Sequence, residues 1–503
     1  MKQLSWIVFF GLVLTWSSED GTAAERLIPT PPLSEIEQAL ANLSRPDSAA
    51  QDAAVNTLMA TGDVSLLPKL QDMRANADRS VRMVMKPIID VLKNKAKLSS
   101  VAADERRSAA TDLGSLGRPV AIPWMEDALE HESDRWVRYT LEESINLIKL
   151  SIGDPATLAA AATTLGTLHS QNALPMLKEL AGHSSVEIAR AAHDAIDRIE
   201  TWGMWAGGFE TIFRGISLSS ILLMMSLGLA IIFGLMGVIN MAHGELMMVG
   251  AYATYTAQEF FKAYLSPTLF DYYFVFALPF SFLAAGLCGL VLEATVIRFL
   301  YGRPLETMLA TWGVSLVMIQ GARVYFGDLT SVVAPSWLSG GMQAMVGVYF
   351  PYNRLFIILL SVVCVAGIYL LLFSSRLGLR VRAVTQNRSM SACLGIPTRK
   401  VDAYTFAFGS GLAGVAGCVL TLVGNVEPGL GQNYIVDSFM VVVTGGVGKL
   451  AGTIVAAMGI GGLNKLLEPS FGAVYGKVCI LVLVILFLQW RPAGLFAAKG
   501  RNA

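Results

Sequence analysis

A run of 24 residues without a charge, Ile216–Ile239, constrains this chain more than any other feature. About 20 apolar residues in one helix span the hydrocarbon core of a bilayer. Tyr272–Leu292, Leu355–Ser375 and Ala403–Val426 are also long enough. Shorter apolar runs at Leu246–Gln258, Thr307–Ala322, Leu450–Asn464 and Val478–Trp490 complete a bundle of about eight helices. Charge is only 15% of the 503 residues and is concentrated before residue 210 or so. The two halves therefore belong to different environments. Net charge is zero, which leaves no electrostatic footprint for nucleic acid. The five cysteines, Cys288, Cys364, Cys393, Cys418 and Cys479, all lie in the apolar half and show no metal-type spacing.

The first residues have the form of an export signal. Lys2 gives a short positive start, Leu4–Trp16 is apolar but too short to span, and Thr22-Ala23-Ala24 offers small residues for cleavage. Residues 1–24 are thus expected to be a signal peptide, with residues 25–205 outside the cytoplasm. Within that segment three stretches repeat: Ala53–Leu70, Ala109–Met125 and Ala160–Leu177. Each passes from an alanine-rich helix through a turn to an apolar-Pro pair, at Pro68, Pro123 and Pro175. A further helix follows each, over Asp78–Leu92, Asp134–Ile148 and Ser185–Ile199, with Asp78 and Asp134 placed to cap. The pattern is a helical solenoid resembling HEAT repeats with a longer period. His131, His169, His183 and His193 fall at unrelated repeat positions, and no nucleophile–base pair suggests an enzyme. A docking or stabilising module fits better than a hydrolase.

Positive charge sets the orientation of the second half, residues 206–497. The segment Arg376–Lys400 carries Arg376, Arg380, Arg382, Arg388, Arg399 and Lys400, and is predicted to be cytoplasmic. Alternation back along the chain puts the repeat domain outside, where the signal peptide also sends it. Beyond residue 430 the count is open. Two crossings would leave Arg491, Lys499 and Arg501 outside, so Ser438–Lys449, broken by glycines, is a candidate third crossing or half-span.

The stretch Gly234-Leu235-Met236-Gly237-Val238-Ile239-Asn240-Met241-Ala242-His243-Gly244-Glu245-Leu246 resembles the first signature of the LivH-like branched-chain amino acid permease family. Arg298–Pro304 resembles the family's basic turn. Gly378–Val384 and Ala392–Ile396 resemble its large cytoplasmic loop, and Gly445–Gly448 and Arg491–Phe496 its C-terminal end. The resemblance covers about 210–497. An exported repeat domain in front of such a module is similar to the urea-importing branch of the family.

The resemblance implies an all-α fold: a polytopic helical permease behind an exported helical-repeat domain, in the bacterial inner membrane. It implies no enzymatic activity and no cofactor. The implied partners are a second, LivM-like permease subunit, two ATP-binding subunits, a periplasmic solute-binding protein and membrane lipid. Two groups of residues become candidates. Asn240, His243, Gly244 and Glu245 place polar groups beside glycines between apolar runs; they either face the solute or close a turn. Gly378, Arg380, Arg382, Met390, Cys393, Leu394 and Gly395 form the candidate coupling loop. Met390, Cys393 and Leu394 fall at i, i+3 and i+4, so a short helix there exposes one apolar face for an ATP-binding subunit. Gly445–Leu450 superficially resembles a phosphate loop, but it lacks the first glycine and has Leu450 where Ser or Thr is needed. Energy must then come from a separate subunit. The rivals are an importer of branched-chain amino acids or short amides, a passive channel, and a membrane-tethered scaffold.

Overall fold

The computed structural model describes residues 33–43, 48–152 and 154–496. The expected signal peptide lies outside these residues, as do Lys499 and Arg501. The chain separates into two compact units, Met1–Ile199 and Glu200–Ala503.

The first unit contains α1 (Leu33–Asn42), α2 (Ser48–Thr61), α3 (Leu67–Asn76), α4 (Arg79–Leu98), α5 (Ala103–Leu116), α6 (Ala121–His131), α7 (Arg135–Ile152), α8 (Pro155–Leu168), α9 (Leu174–Leu180) and the start of α10 (Val186–Ile231). Each sequence repeat forms three helices: α2–α4, α5–α7, and α8 to the start of α10. The additional short helix begins around the repeated proline, whose missing N–H falls where the first turn has no partner anyway. Three helices per repeat account for the long period.

The repeats place matching residues in the core. Leu58, Leu113 and Leu165 are buried, as are Leu70, Met125 and Leu177. On the third helix of each repeat, Met85, Leu141 and Ala192 are followed at helical spacing by Ile89, Ile145 and Ile196, then Leu92, Ile148 and Ile199, all buried. Asp134 accepts hydrogen bonds from the N–H groups of Trp136 (2.8 Å) and Val137 (3.0 Å), as a cap should. Asp78 occupies the cap position of α4, but its side chain makes no capping bond.

The second unit continues α10 and adds α11 (His243–Tyr264), α12 (Tyr273–Thr295), α13 (Pro304–Phe326), α14 (Tyr352–Ser374), α15 (Arg376–Gln386), α16 (Arg388–Cys393), α17 (Thr398–Leu420), α18 (Leu430–Gly445) and α19 (Leu450–Trp490). Among the described residues, five helical stretches are long and apolar enough to cross a membrane: Val186–Gly234, Pro267–Phe299, Tyr352–Ser374, Thr398–Leu420 and Leu450–Trp490.

Several expectations need correction. The charge-free run Ile216–Ile239 is not one helix. It stops at Ile231, passes through a π-helical turn at Ile232–Met236, and is released by Gly237 at φ 68. The fold is helical as expected, with a local exception among the described residues. The loop before α14 carries an antiparallel hairpin of β1 (Gly341–Met345) and β2 (Val348–Pro351). The aromatic and β-branched run Val348-Tyr349-Phe350 suits a strand, and Gly347, at φ 78, turns the chain.

The C-terminal segment resolves into three pieces. Helix α18 has 16 residues, about 24 Å long, shorter than a hydrocarbon core. Helix α19 is broken at Gly472 (φ 77, ψ 164). Gly476 then lies against Leu467 and Glu468, residues that a straight helix would hold roughly 13 Å away. The chain therefore reverses at Gly472, and α19 is two antiparallel limbs.

The core of this unit is built on α17. A Cβ at Gly414 would sit 2.5 Å from the Ser281 carbonyl oxygen on α12, and one at Gly417 would strike the Met247 carbonyl on α11. Glycine at these positions lets three helix backbones touch, which is how helices gain packing energy in lipid. Gly414 and Gly417 thus pack inside the chain.

Candidate functional site

Asn240, His243, Gly244 and Glu245 come together in the break between α10 and α11. The break is enclosed by the chain itself: Asn240, His243 and Glu245 are exposed by 1%, 0% and 1%. The Asn240 side-chain oxygen accepts from the Ala242 N–H at 3.1 Å, which closes a turn two residues on but does not cap α11. His243 Nε2 lies 3.2 Å from the Met225 carbonyl and so donates to it. Gly244 meets Gly431 at the start of α18 with no room for a Cβ on either, and Gly234 lies against Gly448 with no room for a Cβ of its own. The two glycine-broken regions, before α11 and around α18, are therefore in direct contact.

One wall of the break is α13. Thr307, Thr311 and Ser315 recur at i, i+4 and i+8 and are all buried. Thr311 accepts from the Met241 N–H at 3.1 Å, and Ser315 reaches the Glu245 carboxylate. The spacing of these hydroxyls was the available signal for this wall, but hydropathy reads the run only as apolar. Among the described residues, Asn240 Nδ2, His243 Nδ1 and Glu245 Oε2 in the break have no hydrogen-bond partner. Each costs about 1–3 kcal/mol when left unpaired in an apolar interior. Further along α11, a cavity of about 420 Å³ is lined by apolar groups such as Met248, Phe280 and Met318, with Tyr252 stacked on Phe326 at 4.2 Å. It offers little to a polar solute.

The coupling-loop candidates form a second site, on α15 and α16. Ser375 caps α15 by accepting from the Gly378 N–H at 3.0 Å, and Asn387 caps α16 by accepting from Met390 N–H at 2.9 Å. Gly378 is buried against the last carbonyls of α14, at Leu371 and Leu372, so its role is close approach. Gly395, at φ 83, ends α16. Its N–H bonds the Ala392 carbonyl at 3.0 Å, and the Ile396 N–H bonds that of Ser391 at 3.1 Å. Met390 and Leu394 are 58% and 75% exposed, and Cys393 is exposed beside them. The short helix thus presents an apolar face outward. Arg380 is exposed too, while Arg382 lies over the Phe373 ring at 5.2 Å. Val381 and Val384 hold α15 to Val401 of α17.

A third feature is a cleft of about 730 Å³ in the first unit, between the first two repeats. Its cations are already committed. Lys95 donates to the Gly62 carbonyl at 2.7 Å and lies over Trp124, and Arg106 forks onto Glu132 at 2.7 and 2.9 Å. The cleft is a seam closed by internal contacts.

Comparison with known proteins bears on the second unit. Residues 211–488 match the family described as the permease component of the branched-chain amino acid transport system. The chain is similar to BraD of Pseudomonas aeruginosa, a high-affinity branched-chain amino acid permease protein, at 27% identity over 57% of this chain and 94% of the relative. It is similar to the probable permease LivH of Methanocaldococcus jannaschii at 27%, over 57% of this chain and 92% of the relative. The ribose import permease RbsC of Escherichia coli is 26% identical over 36% of this chain and 58% of its own length.

Proposed function

Because the chain belongs to the family of branched-chain amino acid transport permeases, we propose that it is the permease subunit of an ATP-driven importer whose cargo is urea. The observation that carries the cargo assignment is a mismatch in length. The amino acid permeases use over nine-tenths of their length to match little more than half of this chain. The helical first unit is an addition to them, and a HEAT-like domain ahead of the permease is the arrangement of the urea-importing branch. In this reading the first unit is periplasmic and follows a cleaved signal. The partners are a second, LivM-like permease, two ATP-binding subunits and an exported solute-binding protein.

The topology supports this reading at its C-terminal end. In this reading the short α18 counts as a pass beside the two limbs of α19, so that three passes follow α17. Arg491 then lies on the same side as the basic loop, as a cytoplasmic tail requires. The exposed face of Met390, Cys393 and Leu394 suits docking in a groove of an ATP-binding subunit. Asn240, His243, Gly244 and Glu245 serve the pathway indirectly. Buried among α10, α11 and α13, they form the hinge of the broken helices.

Labelled urea uptake by the reconstituted complex, in competition with leucine, tests the cargo. Urea uptake indifferent to excess leucine is expected. Leucine uptake blocked by neither urea nor acetamide would favour the amino acid importer, which the names of the relatives support.

A further inference from the structure

Five side chains near the loop between α12 and α13 join helices that are distant in sequence. Arg388, the first residue of α16, forms an ion pair with Asp402 of α17 at 2.6 Å. Its guanidinium also lies over the ring of Tyr301, 4.8 Å from the centroid. One turn away in the same loop, Arg298 pairs with Glu293 of α12 at 3.2 Å. The two carboxylates are deeply buried, their side chains 4% and 2% exposed, whereas the arginines are half-open to the surface.

We propose that Arg388 is a positioning residue, a latch that makes α17 and the α12–α13 turn follow any displacement of α16. The proposal rests on the coupling-loop reading above and adds how that loop is connected to the core. The physical case is one of direction. The outward side of α16, Met390 and Leu394, is free to be gripped. Its inward side is fixed by a guanidinium held at once by a buried carboxylate and an aromatic face. Apolar contacts such as Val384 on Val401 tolerate small slips. Arg388 cannot slip without leaving Asp402 buried and unpaired, which is a severe penalty. Movement of α16 must therefore carry the start of α17. That helix touches α11, α12 and α10 backbone to backbone, with Gly409 beside Gly228, which the His243 ring also meets. The latch thus leads from the exposed loop to the broken helices.

The test uses the complete reconstituted complex. Arg388→Ala and Asp402→Asn should each retain the ATP-binding subunits through purification, yet lose solute-stimulated ATP hydrolysis and uptake at least several-fold. The solute concentration for half-maximal uptake should stay near the parent's. The exchanged pair R388D/D402R should recover uptake well beyond either single charge reversal, and it is the loss of stimulated hydrolysis in a complex that keeps its subunits and its solute affinity that a merely structural role would not predict. Full uptake by both single variants would overturn the proposal. So would loss of the ATP-binding subunits from Arg388→Ala, because the residue would then belong to the docking surface. Met390→Glu separately probes docking: it should strip those subunits. Their retention with full uptake would sink the coupling-loop reading, and the latch with it.

Discussion

At the residue scale, charges in the first unit act by pairing. Arg106 beside Glu132, with the Asp134 and Ser133 N–H groups, holds the Glu132 carboxyl below its usual value of 4.5. A carboxylate whose folded pKa is depressed contributes stability that is present above its unfolded value and lost as pH falls through the folded one. The effect should therefore fade only below about pH 4.5. Thermal unfolding of the full chain in detergent should show Glu132→Gln less stable than the parent at neutral pH, with the gap narrowing in acid. A gap that is constant with pH would show that the pair contributes nothing through ionisation. In the second unit the decisive residues are small. Gly417→Leu would force a side chain into the Met247 carbonyl, and overpacking of this kind costs about 1–3 kcal/mol or more. The variant should melt earlier, and an unchanged midpoint would contradict the packing described for α11 and α17.

At the element scale, the helices of both units were legible where pattern is physical necessity. Charge-free runs of bilayer length mark α10, α12, α14 and α17, and recurring alanines and prolines mark the repeats. The breaks were not legible to the residue. Hydropathy reads Ile216–Ile239 as continuous because nothing charged interrupts it, yet Gly237 takes a positive φ there and ends the helix. The division of α19 was legible, because Lys465, Glu468 and Lys477 separate the runs Leu450–Asn464 and Val478–Trp490, but the residue at which the chain turns was not. That residue, Gly472, adopts a conformation nearly closed to other residues. Gly472→Ala should cost about 1–3 kcal/mol and lower the melting midpoint of the detergent-solubilised chain. An alanine variant as stable as the parent would mean that the reversal does not depend on this conformation. The sequence also missed the hydroxyl wall of α13 and the buried partners of Arg388. Both are made by residues far apart in the chain, and only the fold brings them together.

At the scale of the whole molecule, a permease of the branched-chain amino acid transport family is joined to a helical unit that its similar relatives lack. The Asn240–Glu245 cluster looked from sequence like a place for solute or for a cap. In the structure it is buried in the break between α10 and α11, and its part in the pathway stays a proposal, while α16 presents an exposed apolar face. On the function proposed above, ATP hydrolysis elsewhere drives solute through this chain by way of that loop. The most direct measurement is uptake of labelled urea into proteoliposomes holding the full complex, with ATP and then with a non-hydrolysable analogue. Accumulation above the outside concentration with ATP alone is the predicted result. Equal uptake in both conditions, never exceeding equilibration, would contradict the account and identify a passive channel.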